Sequence, residues 1–197
     1  MFDYIKGEVV ELNPTYVVLE CRGIGYFIHI SLNTFTGLQN QAPSVKEMKI
    51  FIQTIIREDA HLLYGFLTTE ERTLFRQLIS VSGIGANTAR MILSSMSPTE
   101  LVAAISGGDI TSLKNVKGIG LKTAQRIIVE LKDKISTETV SDHFFVTPNN
   151  TIQQEALSAL VMLGFPKKSV EKVVADLIKE RPKITVEELI KNALKIL

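Results

Sequence analysis

The stretch that decides the fold occurs twice in the sequence: residues 81–92 read VSGIGANTARMI and residues 116–127 read VKGIGLKTAQRI. Each copy has Gly-Ile-Gly, then two variable residues, then Thr-Ala, with apolar residues at helical spacing on both sides. A pattern that repeats within one chain indicates a repeated supersecondary unit. The repeat predicts two helix-turn-helix hairpins that lie within one helical domain.

The glycines of each copy indicate what the hairpins do. Gly83 and Gly118 come first in their turns, and Gly85 and Gly120 come last. Because glycine adopts left-handed backbone angles and has no Cβ, each Gly-Ile-Gly predicts a sharp turn between two helices. The helix after the second glycine begins with unpaired N–H groups and the positive end of its dipole, which together bind anions such as a DNA phosphate. Such contacts do not read base sequence.

The candidate DNA-binding residues are those of the two turns and of the helix starts that follow. The two isoleucines are expected to anchor each turn to its own helices, and the two threonines to cap the next helix or to donate to the phosphate. The second copy is the more basic one. The predicted set is Gly83, Ile84, Gly85, Asn87, Thr88, Lys117, Gly118, Ile119, Gly120, Lys122, Thr123 and Arg126.

An alternative interpretation makes each Gly-Ile-Gly only a helix C-cap with its usual apolar contact. For a single copy the two interpretations are equally good, but two copies with matching Thr-Ala favour DNA contact. The net charge is evidence against it, because 22 lysines and arginines face 21 aspartates and glutamates. A local cationic face is nevertheless compatible with acidic surface elsewhere on the chain.

The chemistry-bearing residues that remain are few. Cys21 is the only cysteine, so the chain has no intrachain disulfide, thiolate zinc site or cysteine-ligated cluster, and we expect Cys21 to pack within a strand. The three histidines, His29, His61 and His143, show no metal-ligand or triad spacing, and no Gly-Lys-Ser/Thr phosphate loop occurs. The sequence predicts no catalytic residue, no metal site and no cofactor.

The sequence also lacks membrane and export signals. No apolar stretch reaches the roughly 18 residues of a membrane span, and the first residues lack the basic-then-apolar order of a signal peptide. We therefore expect no membrane association and a cytoplasmic location.

The chain divides into four predicted segments, β structure first and all-α structure after it. Residues 1–66 contain five β-type runs, at 4–10, 15–20, 25–30, 48–57 and 60–64, and no segment of helical period before Thr68, which predicts an OB-like β-barrel. Residues 67–136 form the helical domain with both hairpins. Its first helix begins at residues 69–72 and carries Leu74, Phe75, Leu78 and Ile79 on one face, and Ser97-Pro98 begins another helix.

The last two predicted segments are a linker and a small module. Residues 137–150 mix polar and turn residues and predict a flexible linker, although Phe144, Phe145 and Val146 leave open that part of it docks on a neighbouring surface. Residues 151–197 predict three short amphipathic helices, at 153–163, 168–180 and 186–197, with a capping box of Thr185 and Glu188. So small a bundle suits an interaction module.

Over its whole length the chain resembles the RuvA family. Besides both hairpins, residues 57–66 (REDAHLLYGF) resemble the end of that family's barrel, and residues 159–165 (ALVMLGF) resemble its UBA-like C-terminal module. The resemblance implies a homotetramer, with an octamer left open, that binds a four-way Holliday junction during DNA recombination, repair and the SOS response to DNA damage. It further implies a non-catalytic subunit that recruits the hexameric ATPase RuvB for branch migration, with the RuvC resolvase as a further partner.

The resemblance also assigns roles outside the hairpins. Glu58 and Asp59 would be an acidic pin at the junction centre, which repels phosphates and separates strands; without the family, the pair reads as a solvated turn. Four apolar residues would form the face that accepts RuvB: Leu160, Leu163, Phe165 and Leu194. The alternative is that they simply form the core of the bundle. We favour Leu163 and Phe165 as the exposed members. Asn87 and Leu121 stand where relatives often carry lysine.

Two other functions compete with junction binding. A DNA glycosylase or lyase would pair a nucleophilic lysine with a downstream aspartate, and Lys122 and Asp142 are the only tempting pair. Asp142 falls in the predicted linker rather than in a pocket, which is evidence against this enzyme. A non-specific duplex adaptor without junction preference is the second alternative, and only binding measurements separate it from a junction binder.

Overall fold

Five strands open the chain in the computed structural model, which describes residues 2–41, 46–142, 148–181 and 184–197. They are β1 (Tyr4–Asn13), β2 (Tyr16–Cys21), β3 (Ile24–Ile30), β4 (Glu47–Ile56) and β5 (His61–Phe66). They close into a barrel in the order β1-β2-β3-β5-β4, in which only the β3–β5 pair is parallel. The predicted five-stranded barrel is confirmed. Its interior holds the inward-facing residues of the alternating strands, among them Val17, Leu19, Ile28, Ile50 and Ile52.

The expectation that no helix precedes Thr68 is wrong. Helix α1 (Leu32–Gln41) lies between β3 and β4. The Ser31 hydroxyl accepts a hydrogen bond from the N–H of Thr34 at 3.0 Å, which caps the helix, and Leu38 is fully buried. Threonines, asparagines and Gly37 hide the helical period in the sequence. Gly37 lies close to Leu67, since a Cβ on it would be 2.5 Å from Cδ2 of Leu67 and that side chain would have to move.

Five helices follow the barrel: α2 (Thr69–Ser80), α3 (Ala86–Ser95), α4 (Pro98–Gly107), α5 (Ile110–Lys114) and α6 (Leu121–Asp142). The hydroxyl of Thr68 caps α2, and Ser97 and Glu100 form a capping box at the start of α4. Gly108, with φ of 72°, ends α4 in the left-handed conformation. The helical core continues into the barrel, since Tyr64 and Phe66 of β5 pack against Phe75 of α2.

The predicted linker is partly helical. Helix α6 continues to Asp142 and α7 (Pro148–Met162) already begins at residue 148, so the expectation of irregular backbone is wrong for 137–142 and 148–150. The serines and threonines of this segment favour turns when they stand alone, but here they extend an established helix. Phe144, Phe145 and Val146 lie outside the described residues. The chain divides into two compact units, Met1–Val140 and Ser141–Leu197, so the division falls inside the range 137–150.

The second unit is the predicted three-helix bundle, of α7, α8 (Lys167–Glu180) and α9 (Val186–Ala193). Thr185 and Glu188 form the predicted capping box at the start of α9. The last helix is shorter than expected, because residues 194–196 form turns. The core is made of Ala156, Leu160, Val170, Val174, Ile184, Leu189 and Ala193.

A buried carboxylate joins the barrel to the helical domain within the first unit. Glu71 of α2 is 3% exposed and accepts hydrogen bonds from the hydroxyls of Ser31 and Thr34, the latter at 2.7 Å. The same Thr34 hydroxyl accepts from the N–H of Leu67 at 3.3 Å. Nearby, Arg72 donates to the Asp3 carboxylate at 2.6 Å and to its carbonyl at 2.8 Å. These contacts fix α2 on the barrel.

The Glu71 network predicts a pH dependence of stability. Burial raises the pKa of the Glu71 carboxyl above its ordinary value of 4.5, and the two hydroxyls oppose the rise only in part. The folded protein therefore binds this proton more tightly than the unfolded chain, so the stabilisation is complete below pH 4.5 and is lost as the pH rises through the folded pKa.

Glu71→Gln keeps the shape of the side chain without the ionisation. We expect E71Q to become more stable relative to the wild type as the pH is raised from 4.5, because only the wild type has the ionisable carboxyl. The free energy of unfolding of both proteins is measured by urea denaturation at each pH. A difference between the two proteins that stays constant with pH would contradict this account of Glu71.

Candidate nucleic-acid interface

The two Gly-Ile-Gly turns have the same backbone geometry. Gly83 has φ of 91° and Gly118 has φ of 89°, which is the left-handed region that favours glycine. In each turn the isoleucine N–H donates to the carbonyl of the valine three residues earlier, at 3.0 Å in both copies. Ile84 and Ile119 are each 5% exposed and lie in the helical core. The predicted anchoring of the turns by the isoleucines is confirmed, so these side chains can serve DNA only by holding the backbone.

A helix begins directly after each turn. Gly85 is the N-cap of α3, and no side chain caps this helix; Gly120 precedes the first residue of α6. The first intrahelical bonds match, because the N–H groups of Ala89 and Ala124 donate to the carbonyls of Gly85 and Gly120, both at 2.9 Å. The N–H groups of each first turn have no partner within their own helix and carry the positive end of the helix dipole. Both helix starts therefore have the features that favour an anion, and phosphate binding there stays a prediction.

The threonines of the repeat do not cap their helices. Thr88 and Thr123 lie in the first turn of α3 and α6, each partly buried, and neither hydroxyl makes a hydrogen bond to another described residue. Their predicted capping role is not observed. Donation to a phosphate stays a prediction for both.

The cations of the second hairpin differ in how they are held. Lys117 and Lys122 are exposed, and neither forms an ion pair or a hydrogen bond within the described parts of the chain. Arg126, in contrast, donates from Nη1 to the carbonyl oxygen of Ser82 at 3.0 Å, so it connects α6 to the turn of the first hairpin. The two lysines are thus available to phosphates, whereas Arg126 already has a partner.

The first hairpin is attached to the barrel. The Asn87 Oδ1 atom accepts from the hydroxyl of Tyr64 at 3.0 Å, and Arg90 donates to the carbonyl of Thr15 at 2.9 Å. Burial raises the pKa of Tyr64, and burial together with the positive charge of Arg90 lowers the pKa of His29. Sequence analysis missed Arg90, because nothing in the pattern distinguishes an arginine that faces the barrel from one that faces solvent.

Two further predictions concern exposed residues of the first unit. Leu121 is 52% exposed and adds apolar surface beside the second turn. Glu58 and Asp59 lie in the turn between β4 and β5, which is closed by a 2.8 Å hydrogen bond from the N–H of Arg57 to the carbonyl of Ala60. Both acidic side chains are exposed, an arrangement that fits a solvated turn and an acidic pin equally.

The predicted partner face is only partly on the surface of the second unit. Leu160 is fully buried in the core, and Phe165 packs against the core while partly exposed. Leu160 fits the alternative that assigns it to the bundle core, and a role for it in partner binding stays a prediction. Leu163 and Leu194 are 61% and 42% exposed. The sequence analysis did not single out three neighbours in the chain that are also exposed: Val161, Met162 and Ile196.

The residue pair of the enzymatic alternative is divided between the two units. Lys122 belongs to Met1–Val140, and Asp142, at the end of α6, belongs to Ser141–Leu197. Among residues 2–41, 46–142, 148–181 and 184–197, no group of three or more His, Cys, Asp or Glu side chains could hold a metal ion. In the same part of the chain, no helix combines the length and the apolar character that crossing a membrane requires.

Three family models match the chain in succession. The RuvA N terminal domain matches residues 1–65, the SAM-like helix-hairpin-helix tandem matches residues 75–133, and the RuvA C-terminal domain matches residues 151–197. These matches fall on the barrel, on both hairpins and on the three-helix bundle, and they confirm the predicted fold class.

Curated relatives match from end to end. Three proteins named Holliday junction branch migration complex subunit RuvA come from Christiangramia forsetii (49% identity), Porphyromonas gingivalis (51%) and Bacteroides fragilis (50%). Each alignment covers 99 to 100% of this chain and 99 to 100% of the relative. The chain therefore belongs to the RuvA family of Holliday junction branch migration complex subunits.

Proposed function

We propose that this protein binds the phosphates of four-way junction DNA through its two hairpins, as a homotetramer, without reading base sequence. The observation that supports this most is that the two turns have the same backbone geometry. Gly83 and Gly118 differ by 2° in φ, and each is followed by a helix whose first N–H groups have no partner within the helix. One anion site could arise by chance from a helix start, whereas a matched pair suits two phosphates of one duplex.

Tetramer formation gives the acidic turn its role. Four-fold symmetry would bring four copies of Glu58 and Asp59 together at the centre of the junction. Carboxylates there repel phosphates, so duplex arms stay apart and the strands separate at the crossover. An octamer, with a second tetramer on the other face of the junction, is compatible with the same DNA contacts.

The C-terminal bundle is proposed as the site of partner recruitment. Its exposed apolar residues Leu163 and Leu194 are the kind of surface that a partner protein covers. The partner would be RuvB, a hexameric ATPase, because this chain is a non-catalytic subunit and branch migration needs a source of energy. The RuvC resolvase is a further candidate partner. Since bacterial DNA lies in the cytoplasm, the proposal places the protein there.

Junction preference is the first test of this function. At matched salt concentration, we expect the protein to bind a four-way junction at least about tenfold more tightly than a linear duplex of the same length, measured by fluorescence anisotropy. Equal affinity for the two DNA shapes would instead identify a non-specific duplex adaptor.

Glycine substitutions test whether the turns bind the phosphates. Each proposed phosphate seat consists of one Gly-Ile-Gly turn and the first N–H groups of the helix that follows it. Gly118→Asp and Gly83→Asp place a negative charge at these two seats, so we expect affinity for every DNA shape to fall at least about tenfold. The loss should be larger for G118D, where Lys117 and Lys122 supply the local positive charge. Gly108→Asp is the matched control, because Gly108 is also left-handed, with φ of 72° and open space around it, but lies outside the hairpins. A G108D variant as impaired as G118D would mean that strain or net charge, rather than the phosphate seat, causes the loss.

Removing the acidic charge tests the pin. Glu58→Gln combined with Asp59→Asn keeps the turn and removes two carboxylates from an exposed position, so backbone strain is not expected. We predict that affinity for linear duplex rises by roughly tenfold while affinity for the junction changes less, because repulsion of phosphates is lost. Unchanged affinity for linear duplex would assign the pair to a solvated turn.

Two leucines separate partner binding from folding. Leu163→Ala changes an exposed side chain and should leave the melting temperature unchanged while weakening the stimulation of the RuvB ATPase on junction DNA. Leu160→Ala is the contrasting variant three residues away; its side chain is fully buried, so it should cost about 2 to 5 kcal/mol of stability of the bundle. Full stimulation by L163A would show that the partner binds another surface.

A further inference from the structure

The two hairpins contact each other through one position of the repeat. When the copies are aligned on Gly-Ile-Gly, Met91 of the first copy corresponds to Arg126 of the second. Arg126 donates to the Ser82 carbonyl in the first turn at 3.0 Å. Met91 lies beside the second turn, because a Cβ on Gly118 would be 3.5 Å from its Cε atom. Each of the helices α3 and α6 thus reaches the turn of the other hairpin from the same position.

Arg126 makes its contact with the first turn within the chain itself. Its planar guanidinium presents several N–H donors in a rigid arrangement, so one edge can bind a carbonyl while 52% of the side chain stays exposed. The Nε atom also lies 3.9 Å from the carboxylate of Glu130, one helical turn further along α6. An exposed pair at that distance adds little stability. Only Nη1 of Arg126 binds the Ser82 carbonyl, so the other donors of the guanidinium stay exposed and a DNA measurement has to separate positioning from phosphate binding.

The spacing between the hairpins matters because the phosphates of a duplex have fixed positions. Two phosphate seats can bind one duplex together only if their separation and orientation match it. Seats that are held in place before binding avoid the cost of ordering them on the DNA. The contacts of Arg126 and Met91 each connect one hairpin to the turn of the other. They can therefore determine the separation and orientation of the two phosphate seats relative to the duplex.

From these contacts we propose that Met91 and Arg126, with Ser82 and Gly118, form an interhairpin clasp that sets the spacing of the two phosphate seats. Arg126 is then a positioning residue. The proposal rests on the proposed function, in that both hairpins bind phosphates of the same DNA. It reassigns Arg126, which the repeat alone grouped with the DNA-binding cations.

Salt dependence separates positioning from phosphate binding. Each phosphate contact made by a cation contributes about 0.9 to the slope of log K against log salt on duplex DNA. Arg126→Met introduces methionine, which is the residue at the equivalent position of the first copy, Met91. We expect R126M to bind four-way junctions about fivefold to tenfold more weakly at every salt concentration, with the wild-type slope. Lys122→Met is the matched control, since it removes one exposed cation from the same helix. The slope of log K against log salt for K122M should be shallower than that of the wild type by about 0.9 for each phosphate that Lys122 neutralises.

An uncharged variant tests the other half of the clasp. Met91→Ala removes the contact with the second turn and no charge, so a phosphate role cannot explain its effect. We expect junction affinity to fall about threefold with an unchanged slope. The melting temperature of each full-length variant is measured to check that the variant folds. If R126M does not fold, M91A tests the clasp.

The outcomes are distinct. A shallower slope for R126M, matching that of K122M, would make Arg126 a phosphate ligand and overturn the clasp. Wild-type affinity for R126M or for M91A would overturn it as well, because the spacing would then not depend on these contacts. An unchanged slope for K122M would show that Lys122 neutralises no phosphate, whereas undiminished DNA affinity of G118D would contradict phosphate binding by the second hairpin, and the clasp would then lose its function.

Discussion

A left-handed backbone at Gly83 and Gly118 is the constraint on which the DNA-binding domain depends. With φ near 90° at both residues, the chain reverses within a Gly-Ile-Gly turn and begins a new helix at once. Ile84 and Ile119 anchor these turns in the core, so their backbone positions are fixed by packing and not by a ligand. The free N–H groups at the start of α3 and α6 are a consequence of that geometry, and the proposed phosphate contacts follow from them.

The barrel and the helical domain are not independent within the first unit. Tyr64 packs against Phe75 at 5.1 Å between ring centroids and donates to Asn87, at the start of the first hairpin's second helix. Arg90 and Glu71 add polar contacts between the same two regions. The first hairpin is thus fixed on the barrel, and the second is fixed on the first through Arg126. Such a chain of contacts suits the proposed binding of both hairpins to one junction.

Sequence analysis predicted the elements that a period or a glycine pattern specifies, and it failed where tertiary contacts decide. The two hairpins, the barrel and the capping box of Thr185 follow from local rules. Helix α1 was missed because, apart from its local cap at Ser31, it is stabilised by burial of Leu38 in the barrel core rather than by helix propensity. The roles of Leu160 and Arg126 could not be separated from those of their neighbours, because burial and partner choice depend on segments distant in the sequence.

The most direct test of the account is the structure of this protein bound to a four-way junction. The account predicts phosphate oxygens within about 2.7 to 3.2 Å of backbone nitrogens in the first turns of both α3 and α6. It also predicts that Arg126 still donates to Ser82 in that complex, while Lys122 faces a phosphate. DNA that contacts only one hairpin, or that leaves both Gly-Ile-Gly turns exposed to solvent, would contradict it.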